Sequence, residues 1–364
     1  MNSVVHLSPD GTTRPAPEQS FPRTRRSNKN GKEKPVEKSV ANPWLSIRPV
    51  DVMTWQQPAP EPEYVLAGLE RGTVGAIVGP GGAGKSYLTL QLMMQLATGA
   101  DLGISPLVGN LSEARPLRVL YICLEDPAKE VWRRAGRIIE RFNSRGVDER
   151  GVLGPDEFWE RLRANLTILD LFGNPDIFSL ARHADSNNRK CELTSWGQFL
   201  AERCAGYDLV IMDTLSRSHE LEENSNPEMA FLLKIFERAA TSSNCAFLYI
   251  HHFSKGGGTN DDQGAADNSR GASVLTSNCR WQLNVGTLRM DKGKALGFDR
   301  LDTKSWVCTE SAKVSYGANG GQNWYWRGEG GVLNHEPDGP NGDGGDDGPA
   351  QVRNSRRREP SHEG

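Results

Sequence analysis

Glu125 and Asp126 follow directly on six apolar residues, Val119–Leu124, and precede Pro127. An apolar strand ending in two adjacent carboxylates brings to one spot groups able to take a proton or hold a cation. The design recurs twice. Leu209–Met212 ends in Asp213, and Ala246–Ile250 ends in His251 and His252. Upstream of all three, GPGGAGKS (Gly79–Ser86) follows the apolar run Val74–Val78 and leads into an apolar stretch from Tyr87 to Ala97. Carboxylates, imidazoles and a lysine at the ends of apolar runs suit chemistry on a phosphate group and its metal ion.

GPGGAGKS fits G-x-x-x-x-G-K-[ST] in full, between a predicted strand and a predicted helix, the context that gives the motif its meaning. Gly79, Gly81, Gly82 and Gly84 let the backbone fold tightly with its N–H groups turned to phosphate, and the helix N-terminus adds favourable partial charge. The cradle runs from Gly79 through Ala83 to Tyr87. Lys85 is placed to reach the β- and γ-phosphates, and the Ser86 hydroxyl to help hold Mg²⁺. A glycine-rich turn entering an ordinary helix is the bland alternative, and the flanking strand and the Lys-Ser pair weigh against it. ATP and Mg²⁺ are the expected cofactors. Asp213, closing a short hydrophobic strand, suits a Walker B carboxylate on the metal. Glu125 is the candidate base that orients and deprotonates water, with Asp126 its neighbour or the cap of the following helix; both could instead merely complement a helix dipole. Of the two histidines, His252 is preferred as a sensor of the γ-phosphate. A metal role for the pair lacks a third ligand at suitable spacing.

These residues need elements to carry them. Strands are expected at Val74–Val78, Val119–Leu124, Leu166–Leu171, Leu209–Met212 and Ala246–Ile250. Helices are expected from Tyr87 to Ala97, from Val131 to Phe142, from Trp196 to Ala205 and from about Pro227 to Thr241. The alternation implies an α/β fold with a mostly parallel twisted sheet flanked by helices, and ligands bind such sheets beyond the carboxyl ends of their strands. The stretches Ser273–Val285, Ser305–Thr309, Ala312–Tyr316 and Asn323–Arg327 read as antiparallel edge strands near the C-terminus.

Composition bounds the rest. The 364 residues carry a formal net charge of -3, unevenly spread: residues 1–42 hold eight Lys/Arg against four Asp/Glu, and residues 338–364 hold four against six. Both ends are poor in apolar pattern and read as disordered tails, a basic one at 1–42 and an Asp/Gly-rich one at 338–364, around one domain at 43–337. The basic stretch Arg23–Lys34 suits a nucleic-acid tether or a solubilising tail. The six cysteines stand singly, as in a reducing cytoplasm, and no apolar run is long enough to span a bilayer. A cytoplasmic protein with no membrane partner is expected.

Taken together, GPGGAGKS, YICLEDP (Tyr121–Pro127), DLVIMDTLSRSHELEENSNPEM (Asp208–Met229), YIHHFSKG (Tyr249–Gly256), SRGASVLTSNCRW (Ser269–Trp281), SAKVSYG (Ser311–Gly317) and GGVL (Gly330–Leu333) resemble the RepA-type plasmid replicative helicases within the RecA-like ATPases. The resemblance spans about residues 43–335. It implies a homohexameric ring that couples ATP hydrolysis between subunits to translocation on single-stranded DNA, with a replication initiator or a primase as the further class of partner. Carried over by motif, Lys85 and Ser86 hold phosphate and metal, Glu125 is the base, Asp213 the Walker B acid and His252 the γ-phosphate sensor. Arg270 matches the arginine of the SRG-S motif and is the first choice for a finger acting in trans, with Lys313 the runner-up. Arg134 and Tyr316 are candidates to sandwich the adenine by cation–π and stacking contacts. Arg217, in the loop after Asp213, and Lys255, in the glycine-rich loop Ser254–Ser269, are the nucleic-acid candidates. Asp261, Asp262 and Asp267 in that second loop weaken the case for strong DNA binding there. The rival expectations are a RecA-like ATPase without unwinding activity, regulatory or accessory, and a nucleotide-dependent assembly module.

Overall fold

The computed structural model describes residues 6–7, 13–14, 47, 49–108, 115–144, 153–173, 178–185, 188–252, 273–317 and 320–341. The chain separates into two units, residues 1–60 and 61–364. In the first, His6–Leu7 and Thr13–Arg14 pair antiparallel, and a 3₁₀ turn at Val52–Gln56 is capped by Asp51, whose carboxylate accepts from the Met53 N–H at 3.0 Å. Most of the two expected tails lies outside the described residues.

In the second unit, nine strands form one sheet among the described residues. They are β1 (Val74–Gly79), β2 (Val119–Cys123), β3 (Leu166–Asp170), β4 (Leu209–Asp213), β5 (Ala246–His252), β6 (Trp281–Thr287), β7 (Trp306–Val314), β8 (Gln322–Arg327) and β9 (Leu333–His335), in the spatial order 9-8-7-6-1-5-4-2-3. From β6 to β3 every pairing is parallel; β6–β7, β7–β8 and β8–β9 are antiparallel. This is the expected fold, a mostly parallel sheet with antiparallel strands at its C-terminal end. Two expectations are corrected. Ser305–Thr309 and Ala312–Tyr316 are not separate edge strands but largely one strand, β7, which lies inside the sheet between β6 and β8 and ends at Val314. Ser273–Val285 is not an antiparallel edge strand: Val274–Asn278 is a short helix, and β6 runs parallel to β1, with Trp281 opposite Gly75 and Asn284 opposite Val78. Parallel neighbours need a crossover between them, and β5 and β6 flank β1 on either side.

Helices α1 (Lys85–Thr98), α2 (Ala128–Ser144) and α3 (Pro155–Asn165) cover one face of the sheet, and α4 (Asn226–Ser243) the other. The apolar runs still alternate by strand geometry: Val119, Tyr121 and Cys123 join the first core, and Leu120, Ile122 and Leu124 the second. Helix α1 is buried almost all round, and the first of its two buried glutamines is satisfied: Gln91 Nε2 donates to the carbonyls of Leu102 (2.6 Å) and Leu333 (2.7 Å), and its Oε1 accepts from the Leu333 N–H at 2.8 Å. It ends, as expected, at Gly99 with φ 78°. The expected helix Trp196–Ala205 is broken instead at Phe199 into Ser195–Gln198 and Leu200–Cys204. There Thr194 caps the first piece, and Gly197 packs so close to the Leu180 carbonyl that a Cβ would stand 2.2 Å from its oxygen.

The second core is organised by aromatic stacking. Phe236 of α4 lies 4.6 Å from Phe247 of β5, centroid to centroid, and both are fully buried. Phe236→Ala should lower unfolding free energy by about 3–5 kcal/mol in urea or heat denaturation, through lost transfer energy and a residual cavity. A loss below ~1 kcal/mol would contradict this packing.

Candidate active site

The parallel register sets three strand ends beside the phosphate loop. Gly79 pairs with His252 and Asp213 with Cys123, and the Leu124 N–H donates to the Asp213 carbonyl at 2.7 Å. Lys85, Glu125, Asp213 and His252 therefore meet beyond the carboxyl edge. Side-chain alternation separates the two histidines. His252 turns to the loop, while His251, 3% exposed, shares the face of Phe247 and Tyr249 and lies near His219, whose pKa burial lowers to about 4.

The loop glycines differ in what they do. Gly82 and Gly84 have φ of 79° and 111°, a conformation that favours glycine, and Gly84 begins α1. Gly79 is needed for contact, since a Cβ there would stand 2.2 Å from the Val285 carbonyl oxygen of β6. A Cβ on Gly81 would meet nothing within 4 Å, and Gly81 borders open space. Ala83 is buried, and Ser86 and Tyr87 are half-buried on the first turn of α1.

Lys85 is 5% exposed, and its Nζ donates to the carbonyls of Gly79 (2.6 Å) and Pro80 (3.0 Å). It also lies 3.2 Å from His252 Nδ1, and His252 Nε2 lies 3.2 Å from a Glu125 carboxylate oxygen. An ammonium has no acceptor and a carboxylate no donor. The chain is satisfied when Nδ1 accepts from Lys85 and a protonated Nε2 donates to Glu125. That bond is the largest influence holding the Glu125 pKa below its ordinary value. Burial lowers Lys85 to about 8, against the opposing charges of Asp213 and Glu125. Asp213 is 3% exposed, and its Oδ2 accepts from the Tyr121 hydroxyl at 2.6 Å. Burial pushes its pKa up to about 6; the Tyr121 bond and Lys85 oppose the shift, while Glu125 and Asp126 reinforce it.

A hydroxyl and a desolvated carboxylate are the hard oxygen donors that Mg²⁺ takes. Among the described residues no group of three or more His, Cys, Asp or Glu is arranged to hold a metal by itself. An ion on Ser86 and Asp213 would complete its shell with phosphate oxygens and water.

Asp126 is not the helix cap. The Ala128 N–H donates to Asp170 of β3 at 3.3 Å, while Asp126 accepts from Arg134 Nη1 at 2.5 Å and Glu130 takes the Arg134 Nε at 3.1 Å. Arg134 is thereby held with its guanidinium carbon 6.0 Å from the centre of the Tyr87 ring. Tyr316 does not join it within one chain. Strand β7 runs antiparallel, so Tyr316 emerges at the amino edge of the sheet beside Gly68. Lys313 donates to the carbonyls of Thr276 (3.0 Å) and Ser277 (2.7 Å), near the end of helix Val274–Asn278. Arg217 is exposed on the turn Leu215–Arg217, and its charge is among those that lower the Glu125 pKa. Arg270 and Lys255 lie outside the described residues.

Two residues of the site escaped the sequence reading. Tyr121 was visible only as one apolar position of a strand. Arg327 ends β8, and its Nη2 donates to the Gly82 carbonyl at 3.2 Å.

A family model described as an AAA domain, AAA_25, matches residues 42–258. The chain belongs to this family. As an AAA-domain protein it carries a P-loop ATPase domain, which accounts for the loop, the buried lysine and the two carboxylates. Solved structures of similar shape include the RadB recombinase, 14% identical over 74% of this chain and 93% of that one, with a TM-score of 0.41. A DnaB-like replicative helicase, solved in a study of its interactions with primase, is 13% identical over 73% and 59%, with a TM-score of 0.47. A further ATPase domain is 13% identical over 73% and 86%, with a TM-score of 0.46. No residue role follows from likeness at this level.

The pKa of Lys85 makes phosphate binding pH-dependent. The ammonium is half-charged at about pH 8 and is lost as pH rises through that value. Nucleotide affinity should be flat from about pH 6.8 to about 7.5 and then fall, at most tenfold per pH unit, up to about pH 9.5. Calorimetric titration with ADP checks this, and constant affinity across the whole range would show that the charge of Lys85 plays no part.

Proposed function

We propose that this AAA-domain protein is an ATP-driven motor that assembles as a ring, a hexamer, and translocates on single-stranded DNA as a replicative helicase of the RepA type. The observation that carries the reading is the chain Lys85–His252–Glu125 beside Asp213. It joins a phosphate-binding cation, a sensing imidazole and an ionised carboxylate through two hydrogen-bond contacts. The order of the YICLEDP, YIHHFSKG and SRGASVL segments supports the narrower assignment.

In this reading Lys85 leaves the Gly79 and Pro80 carbonyls for the β- and γ-phosphates. His252, released from Lys85, then turns a ring N–H to a γ-phosphate oxygen. Glu125, kept ionised by its neighbours, orients the attacking water and accepts its proton. Bound Mg²⁺, held by Ser86 and Asp213, would neutralise charge on the phosphates. The adenine would stack on Arg134 of one copy and Tyr316 of the next, since one chain does not bring the two together. Arg270, or Lys313 in its place, would reach the γ-phosphate of the neighbouring copy. Arg217 and Lys255 would line the DNA path. A replication initiator or a primase is the partner class that fits a replicative role.

ATP hydrolysis should rise on adding single-stranded DNA, and a forked duplex should be unwound; hydrolysis indifferent to DNA together with no strand displacement would reject the helicase. That outcome would leave an accessory ATPase, and an absence of turnover would leave an assembly module. Glu125→Gln should retain nucleotide binding and lose turnover by about 10²–10⁴-fold, the range for a general base. Lys85→Ala should lose binding itself. Mixing Arg270→Ala with Glu125→Gln subunits should restore part of the activity when Arg270 acts in trans. No recovery in assembled mixtures would remove Arg270 from that role.

A further inference from the structure

Arg327 stands outside the residues matched by the family model and inside the phosphate site. It ends β8, which runs in the same direction as β1 because it is antiparallel to β7, itself antiparallel to β6. Its side chain therefore meets the loop at the carboxyl edge. The guanidinium Nη2 donates to the Gly82 carbonyl at 3.2 Å and would lie 3.0 Å from a Cβ on Gly84. The missing side chain at Gly84 is what lets it approach.

The turn that follows is fixed from two sides. The Tyr87 hydroxyl donates to the Gly330 carbonyl, and Gln91 is bonded in both directions to Leu333. Arg327 thus sits on a braced strand end. Among the described residues no carboxylate forms an ion pair with it, although it is half-buried, and burial lowers its pKa with only Tyr87 opposing. Arg134, also near the loop, differs in being paired with Asp126 and Glu130. A half-buried guanidinium with five donors and one neutral carbonyl acceptor has unused capacity for an anion. The adjoining space, bordered by Gly81 and Gly82, is where the phosphates of a nucleotide would lie.

We propose that Arg327 is a phosphate ligand of its own chain's loop, moving from the Gly82 carbonyl onto the distal phosphate oxygens of a bound nucleoside di- or triphosphate. It then supplies in cis a second cation beside Lys85. The proposal rests on the nucleotide reading of the loop, and the test separates the two. A charge-assisted contact of this kind is worth roughly 10- to 100-fold in affinity.

The full-length protein, Arg327→Ala, Arg327→Lys and Lys85→Ala are titrated with AMP, ADP and a non-hydrolysable ATP analogue by calorimetry, with thermal melts of each. Arg327→Ala should bind ADP and the analogue about 10- to 100-fold more weakly and AMP within about twofold of the parent, with Arg327→Lys recovering part of the loss. An equal loss for all three nucleotides would mean that Arg327 only props the loop, and would overturn the proposal. So would unchanged affinity in Arg327→Ala while Lys85→Ala fails to bind. Should Arg327→Ala melt as unfolded, the comparison of ADP with AMP in Arg327→Lys decides: a loss confined to ADP supports the contact, and an equal loss or none rejects it. No nucleotide binding by the parent chain would reject the loop reading itself, and this proposal with it.

Discussion

An ammonium group withdrawn from water at the end of a sheet has to be compensated by its surroundings, and the compensation of Lys85 organises the site. Two carbonyls of its own loop, the His252 ring and the charges of Glu125 and Asp213 surround it. Burial still outweighs them, so the lysine is poised to prefer a stronger anion than the protein supplies. Phosphate is such an anion. Each compensating group arrives on a different strand, so the environment of the lysine exists only when β1, β5, β4 and β2 pair in register. A slip of one residue on β5 would turn His251 to the loop and send His252 into the opposite core.

Most of this was legible locally. The strands, the helices that follow them and the residues at their carboxyl ends follow from apolar run length, glycine placement and the abrupt arrival of a charge. What stayed hidden depends on pairing and direction. Ser273–Val285 alternates as an edge strand does, yet β6 is parallel to β1 and buried. Alternation reports which face a residue takes, and strand direction is set by the crossover. Asp126 carried the composition of a cap; Asp170, distant in sequence, takes the N–H, while Arg134 takes Asp126. Arg134 and Tyr316 fall at opposite edges because β7 reverses. The antiparallel reading of Ala312–Tyr316 already implied that reversal, and with it the separation of the two residues.

The strands beyond the family match bear directly on the loop. β6 presents the Val285 carbonyl to Gly79, β7 lays Val307 against the space beside Gly84, and β8 places Arg327 on the Gly82 carbonyl. Three successive strands thus meet three different glycines of one loop. A Cβ on Gly81 or on Gly82 would meet nothing within 4 Å, so both face open space. The glycines of the motif are therefore of two kinds. Gly79 and Gly84 lie close against the wall, while Gly81 and Gly82 leave room for what binds, Gly82 meeting the wall through its carbonyl.

That wall gives a loop with unhindered N–H groups contacts from outside itself. A glycine-rich segment loses more conformational entropy on ordering than any other, so a rigid anion cradle needs contacts that its own residues cannot make. Here they come from a strand end braced through Tyr87 and Gln91 against the helix that the loop begins. The loop, α1 and the C-terminal strands form one closed circuit, in which the segment that holds the phosphate also fixes the wall that shapes it.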